Sequence, residues 1–252
     1  MSLSSEIAAD NPTHWWKLDA TGGTLADSGV GTSNDMTVVG SLTGATGPDS
    51  GGGQRFDSGD YATGSSDIDM PSGAQAFTLA GFFAPDVFSG NQVFFGFGGT
   101  STDTAAFLGM SSGVLRCGFY ADDMVSTAGV FSSGALVHVA ATYDGNVTAG
   151  LYINGAKVAT KTFGSPLNIT ASAPFLGRLG VSPFGQAFTG TAAHVYIMNG
   201  IALSHARIAA HAAASNVAVV PVSPCLNRSP NCPTIGQLSA YALHTPYHSM
   251  RI

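Results

Sequence analysis

Charge is scarce in this chain. Asp, Glu, Lys and Arg make up 10% of its 252 residues, and Glu6 is the single glutamate. Glu and Lys usually coat exposed helix faces, so their shortage argues against a helical fold. No apolar run reaches the length of a membrane span, so membrane insertion is not expected. Cysteine is limited to Cys117, Cys225 and Cys232. That is too few for a disulfide-dense scaffold. A four-ligand zinc site is also excluded, because no second Cys or His pair stands at metal spacing beside them. Cys117 lies in a strand-like run, VLRCGFY, and reads as a buried thiol. Cys225 and Cys232 bracket LNRSPN and can close a small disulfide loop in an oxidising compartment. No basic segment followed by an apolar stretch opens the chain, so no signal peptide is visible.

The charges that exist are unevenly placed. All 15 acidic residues lie at or before Asp144, against three basic ones, so that part carries −12. The remainder has no acid and six basic residues, giving +6. Two readings follow: mixing of both halves in one domain, or head-to-tail assembly and anionic partners. Six cations scattered over more than 90 positions form no basic stripe, so nucleic acid is not expected as a partner.

What is abundant is glycine, with 33 residues, together with short alternating apolar runs. The stretch from Leu136 to Phe163, LVHVAATYDGNVTAGLYINGAKVATKTF, reads as three antiparallel strands. Asn154-Gly155 is the residue pair a two-residue type I′ turn demands, since both central positions need positive φ. Further strands are predicted at Trp15–Leu18, Met36–Val39, Gln54–Phe56, Phe77–Phe83, Val93–Phe97, Ala105–Met110, Val114–Tyr120, Met124–Val130, Phe175–Arg178, Gly185–Gly190 and His194–Met198. Turn signals every 8–12 residues match an antiparallel sandwich. One helix is expected in HARIAAHAAA, capped by Ser204. Residues 1–12 read as a flexible leader, 13–215 as the sandwich, and 216–252 as an extended, Pro-rich C-terminal arm, with a short helix conceivable over 235–244.

Several of these segments, in order, resemble a known family. WWKLD…LADSG, QRFDSGDY, FTLAGFF, VHVAATYDG…LYINGAKV, PFLGR and FTG…HVYIMNGIALSHARIAAH are similar to the laminin G-like, concanavalin A-like jelly-roll modules of phage and bacterial proteins. The resemblance spans Trp15 to Ala214 and implies an all-β fold, an antiparallel jelly-roll β-sandwich with one short C-terminal helix and an extended tail. Two departures stand out. Leu136-Val137 replace the Trp that often precedes the HVA segment. Ala193 and His194 replace an acidic pair that often precedes the last strand, which weakens any carry-over of calcium.

Candidate chemistry divides accordingly. A glycosidase needs two flanking carboxylates. The close acidic sets are Asp57/Asp60, Asp67/Asp69 and Asp122/Asp123, and they read as turn and loop residues. Catalysis through Cys117 with His138, or through a serine, lacks any supporting motif. Calcium, which is not required but is compatible with the family, would use Asp19, Asp27, Asp57 and Asp60 if their loops converge; the alternative is that they serve Asx-turns. Glycans stack on exposed aromatics, and Trp15, Trp16, Tyr61, Phe88, Tyr120 and Phe184 are the candidates. Adjacent strand residues point to opposite faces, so one of Trp15 and Trp16 belongs to the core. The other is covered by the tail, covered by a partner, or open to ligand.

The arm carries Val219, Leu226, Ile235, Leu238, Tyr241 and Tyr247, too apolar for a plain linker. The leading expectation is a non-catalytic virion subunit, a head decoration or tail component, that assembles through this arm with copies of itself or with capsid or tail proteins. The second is a secreted-type carbohydrate-binding lectin domain, calcium-assisted or not, meeting surface glycans; a glycoside hydrolase is remote. The expected location is a virion or the extracellular space.

Overall fold

The computed structural model describes residues 1–20, 22–48, 51–127, 130–179 and 186–215. Two sheets, antiparallel throughout, face each other. The first runs β14 (Ala156–Thr162), β13 (Thr148–Ile153), β12 (Val137–Tyr143), β7 (Phe77–Pro85), β16 (Gly190–Asn199), β5 (Gly52–Phe56) and β4 (Thr43–Thr46), and β1 (His14–Trp16) also pairs with β16. The second runs β11 (Met124–Val125), β10 (Val114–Gly118), β9 (Ala105–Ser111), β8 (Asn91–Gly98), β15 (Phe175–Leu176), β6 (Tyr61–Gly64), β3 (Met36–Val39) and β2 (Thr24–Leu25).

The expected meander forms. Val139 pairs with Ile153 and Thr148 with Thr162. Asn154 and Gly155 both take positive φ, 46° and 82°, as their turn requires. Asn154 also accepts the backbone N–H of His138 through Oδ1, and Asp144 Oδ1 accepts from the amides of Asn146 and Thr148. Both residues serve turns, Asn154 as read from the sequence.

The interior between the sheets is aromatic. Trp16, Phe77, Phe83, Phe94, Phe95 and Tyr143 are fully buried there, each contributing roughly 1.5–3 kcal/mol by leaving water. Cys117 is a buried free thiol, and burial raises its pKa.

Several expectations need correction. Residues 1–12 are not a loose leader: Leu3–Ala9 form helix α1, capped by Ser2, with Leu3 and Ile7 buried one turn apart. The fold therefore carries two helices, α1 and α2 (His205–Ala214), the second capped by Ser204 as expected. The predicted strand at 185–190 does not extend over 186–189; the chain there is irregular and β16 begins at Gly190. Three strands, β2, β4 and β6, go beyond those predicted. The arm from 216, including Val219, Leu226, Ile235, Leu238, Tyr241 and Tyr247, and with it Cys225 and Cys232, lies outside the described residues.

β16 also has a bulge. Its register shifts between Ala193 and Tyr196, with His194 at φ 45°. Before the bulge β16 pairs with β5; after it, with β1. One strand thus serves two neighbours on the same side, the known use of a bulge.

Candidate functional site

The sandwich has two outer faces, and they differ. On the first sheet, α1 and α2 cover the outward side chains. Leu3 and Ile7 from α1 and Ile208 from α2 share one buried cluster with Trp15, Phe82, Tyr152, Tyr196 and Met198. This layer is sealed further by a polar chain. Asp10 receives the Arg207 guanidinium at 3.0 Å and His211 Nε2 at 2.8 Å; His211 Nδ1 meets the Tyr196 hydroxyl at 2.7 Å; and that hydroxyl meets His138 Nε2 at 3.1 Å. Arg207 also reaches Glu6 at 2.9 Å.

The Asp10 carboxylate orients the whole chain. His211 Nε2–H donates to it, the Tyr196 hydroxyl donates to His211 Nδ1, and His138 Nε2–H donates to Tyr196. Burial, and next the neighbouring His211, push the pKa of His138 down to about 3. Burial also lowers that of His211 against the pull of Asp10, and burial, with Asp10 second, raises that of Tyr196. The arrangement binds both helices to the sheet and buries the outward side chains of its central strands, β1, β7, β12, β13 and β16.

The second sheet's outer face divides in two. On the β8–β9–β10 half, Phe107 lies between Gly96 and Gly118, its cross-strand neighbours. Val93, Ala105, Phe107, Phe175 and Leu179 form a buried cluster with Tyr120 packed against it. Arg116 stands over the Phe107 ring at 5.0 Å, held by Asp123 at 3.2 Å and by the Gln186 amide oxygen at 2.6 Å. This half is closed.

The β2–β3–β6 half is open. Leu25, Met36 and Ala62 point inward, so Thr24, Thr37 and Thr63 point outward. They are register partners: Thr24 opposite Thr37, and Thr37 opposite Thr63. Three hydroxyls therefore stand in one cross-strand row about 10 Å long. Beside it, Tyr61 pairs with Val39, which is exposed. The guanidinium carbon of Arg178, just beyond β15, stands over the Tyr61 ring, 3.3 Å from its centre. Among the described residues, no strand of either sheet contains Asp or Glu.

The sequence candidates are redistributed by this geometry. Trp15 and Trp16 do point to opposite faces, but neither is open to a ligand: they are 4% and 0% exposed. Trp16 sits in the core and donates to the Asn34 carbonyl at 3.0 Å. Trp15 lies under the helical layer, sharing a buried cluster with Leu3 and Ile7 of α1 and Ile208 of α2. Phe88 is partly buried against the core, and Phe184 lies outside the described residues. Tyr61 and Tyr120 do share the second sheet's outer face, with Tyr61 in its open half.

The four carboxylates named for calcium do not converge. Asp27 is a structural acceptor: Oδ1 takes the amides of Trp15 and Gly29, and Oδ2 takes His14 Nδ1 at 2.7 Å and the Asn34 amide. Burial disfavours its charge, but these hydrogen bonds outweigh burial and hold its pKa below the usual value. Asp60 accepts the amides of Ser41 and Asp57. Asp57 pairs with Arg55 at 3.2 Å, and Asp19 is exposed beside β5. Asp27 and Asp60 serve opposite ends of the β3–β6 ladder, about 10 Å or more apart along the strands. Among the described residues no group of three or more His, Cys, Asp or Glu is placed to hold a metal ion.

Sequence reasoning missed Arg178 and the threonine row. Their link is cross-strand register, which short-range pattern does not carry; the alternation in MTVV was the one local signal.

Comparison with known proteins follows this geometry. A laminin G-like family profile, described as the Concanavalin A-like lectin/glucanases superfamily, matches residues 56–209. No curated protein matches the chain. Among solved structures, domain 4 of AbnA, a GH43 extracellular arabinanase from Geobacillus stearothermophilus, in complex with arabinotriose, aligns with TM-score 0.62 and 18% identity, over 80% of this chain and 98% of that one. The binding domain of Paraclostridial Mosquitocidal Protein 1 aligns with TM-score 0.62 and 14% identity, over 81% and 52%. The Botulinum neurotoxin serotype G binding domain aligns with TM-score 0.62 and 11% identity, over 80% and 50%. This chain spans about half the length of the two toxin domains.

Proposed function

The chain belongs to the concanavalin A-like lectin/glucanase superfamily, and from that we propose that it is a non-catalytic module that binds glycans on the open half of its second sheet. The observation that carries this reading is the contrast between the faces. Two helices and a buried polar chain cover the central strands of the first sheet, while β2, β3 and β6 present Thr24, Thr37, Thr63 and Tyr61 outward. Hydroxyls at strand spacing suit sugar hydroxyls, and an aromatic platform suits a sugar ring. The absence of Asp and Glu from the described strands supports a binding role over hydrolysis, since paired carboxylates would have no position on them. The arabinotriose held by the similar Geobacillus domain is consistent with this. Calcium is dispensable in this reading.

A glycan array probed with the full chain, with and without EDTA, tests it. Binding is expected in both conditions, and Thr37→Arg, which places a large side chain across the row, is expected to abolish it. Unchanged binding by Thr37→Arg, or none by the parent chain, would refute the reading.

A second reading concerns assembly. The apolar residues of the 216–252 arm favour docking onto another subunit, as in a virion component. Removal of residues 217–252 would then lower the mass seen by light scattering; equal monomeric masses would end this reading.

A further inference from the structure

We infer that α1 and α2 form a lid over the first sheet, which acid lifts while the sandwich beneath stays folded. The trigger is the hydrogen-bond chain from Asp10 through His211 and Tyr196 to His138. It holds three donated protons, all pointing toward Asp10. A fourth has no place. On His138 it would sit on Nδ1, which has no hydrogen-bond partner among the described residues, in a ring packed against those of Phe82 and His211 at 4.8 and 6.4 Å between centroids. On His211 it would sit on Nδ1 and force both links beyond it to reverse. His138 would then carry its own proton on Nδ1, where nothing accepts it. Either way a buried donor is left unpaired. Both histidines are fully buried, and burial lowers the proton affinity of each.

The other groups against this layer do not relieve the constraint. Asp10 favours a proton on His211, but Arg207 opposes one, and Asp10 already accepts from both. Glu6 is paired with Arg207. Lys17 and His194 against Trp15, and His205 and Lys157 against Tyr152, supply no negative charge. The lid is also lightly held. α1 buries Leu3 and Ile7, and α2 buries Ile208 and Ala212, whereas the aromatic core lies between the sheets. Lifting the lid frees both histidines as unfolding does, at a fraction of the lost burial. The segments leading to the helices stay anchored. The carbonyls of Pro12 and Thr13 accept from the amides of Val30 and Gly31, and the Leu203 amide donates to Thr78 Oγ1. Both helices thus lift from fixed hinges and uncover Trp15, Phe82, Tyr152 and Met198, a face the closed lid masks at neutral pH.

This inference is independent of the glycan reading, and its test uses no sugar. Hydrogen exchange of the full chain, read segment by segment by mass spectrometry and corrected for the intrinsic pH dependence, follows lid and sandwich separately. A histidine kept neutral in the closed state and free to titrate in the open one raises the opening constant roughly 25-fold between pH 7 and pH 5. Protection of α1 and α2 is therefore expected to fall at least tenfold across this interval, while that of β8 and β9 holds. His138→Gln, whose amide takes no proton, is expected to show a smaller fall. A lid still fully protected at pH 5, or a loss spread equally over β8 and β9, would overturn the inference. A fall as large in His138→Gln as in the parent would overturn the histidine trigger. Should that variant not fold, the parent profile alone decides between a lid that lifts and one that does not.

Discussion

Phe107 lies across the backbone of Gly118: a β-carbon built at Gly118 would stand 2.0 Å from the tip of the ring. The two residues are register partners on adjacent strands, and the ring takes the space a side chain would need. Gly118→Ala should therefore cost about 1–3 kcal/mol, the usual range for overpacking. Urea unfolding measures it. A double variant with Phe107→Leu should recover part of the loss, because the clash needs both groups. Additive effects would show that the two positions are independent.

Asp27 gives the second prediction. Its carboxylate takes four hydrogen bonds, three from backbone amides and one from His14. The other nitrogen of His14 faces the Ile68 carbonyl at 3.0 Å, so the pair ties three segments together. Asp27→Ala strands these donors in a buried place and should lower stability by roughly 3–5 kcal/mol. The same loss is expected in EDTA. A loss that shrank in EDTA would indicate that Asp27 holds a metal.

The contrast between His138 and Tyr61 shows what the sequence could and could not convey. The strand at 137–143 was legible because alternation and the Asn154-Gly155 turn are local signals, and α2 because its cap and alanines are. β4 and β6, with the sequences TGAT and YATG, lack the branched and aromatic runs that mark strands. α1 buries only Leu3, Glu6 and Ile7, too weak a pattern to read against its polar neighbours. For the site, Tyr61 was recognisable as an aromatic candidate, but Arg178 meets it only after β15 pairs with β6. Conversely, Trp15 looked available because nothing local announces a helix that folds over it. The strand that carries His138 was found, but the link of His138 to Tyr196 and His211 depends on two other elements.

That link predicts how the protein responds to acid. His138 is fully buried, with its pKa pushed down from 6.5 to about 3, and that of His211 is lowered as well. The unfolded chain takes up protons on these histidines below about pH 6.5, whereas the folded chain resists them. Their contribution is therefore fully present above that pH and is lost as pH falls toward the folded values. Each histidine that stays neutral costs up to about 1.4 kcal/mol per pH unit in this window. The groups facing the chain are Asp10, Glu6, Arg207 and Tyr196. Asp27, whose pKa is lowered, adds its own acid sensitivity only below the ordinary carboxylate range. Between pH 7 and pH 5 the buried histidines should thus dominate. Urea midpoints measured across this interval should fall in the parent chain and fall less steeply in His138→Gln, whose amide does not titrate. Parallel slopes in the two proteins would show that acid acts elsewhere.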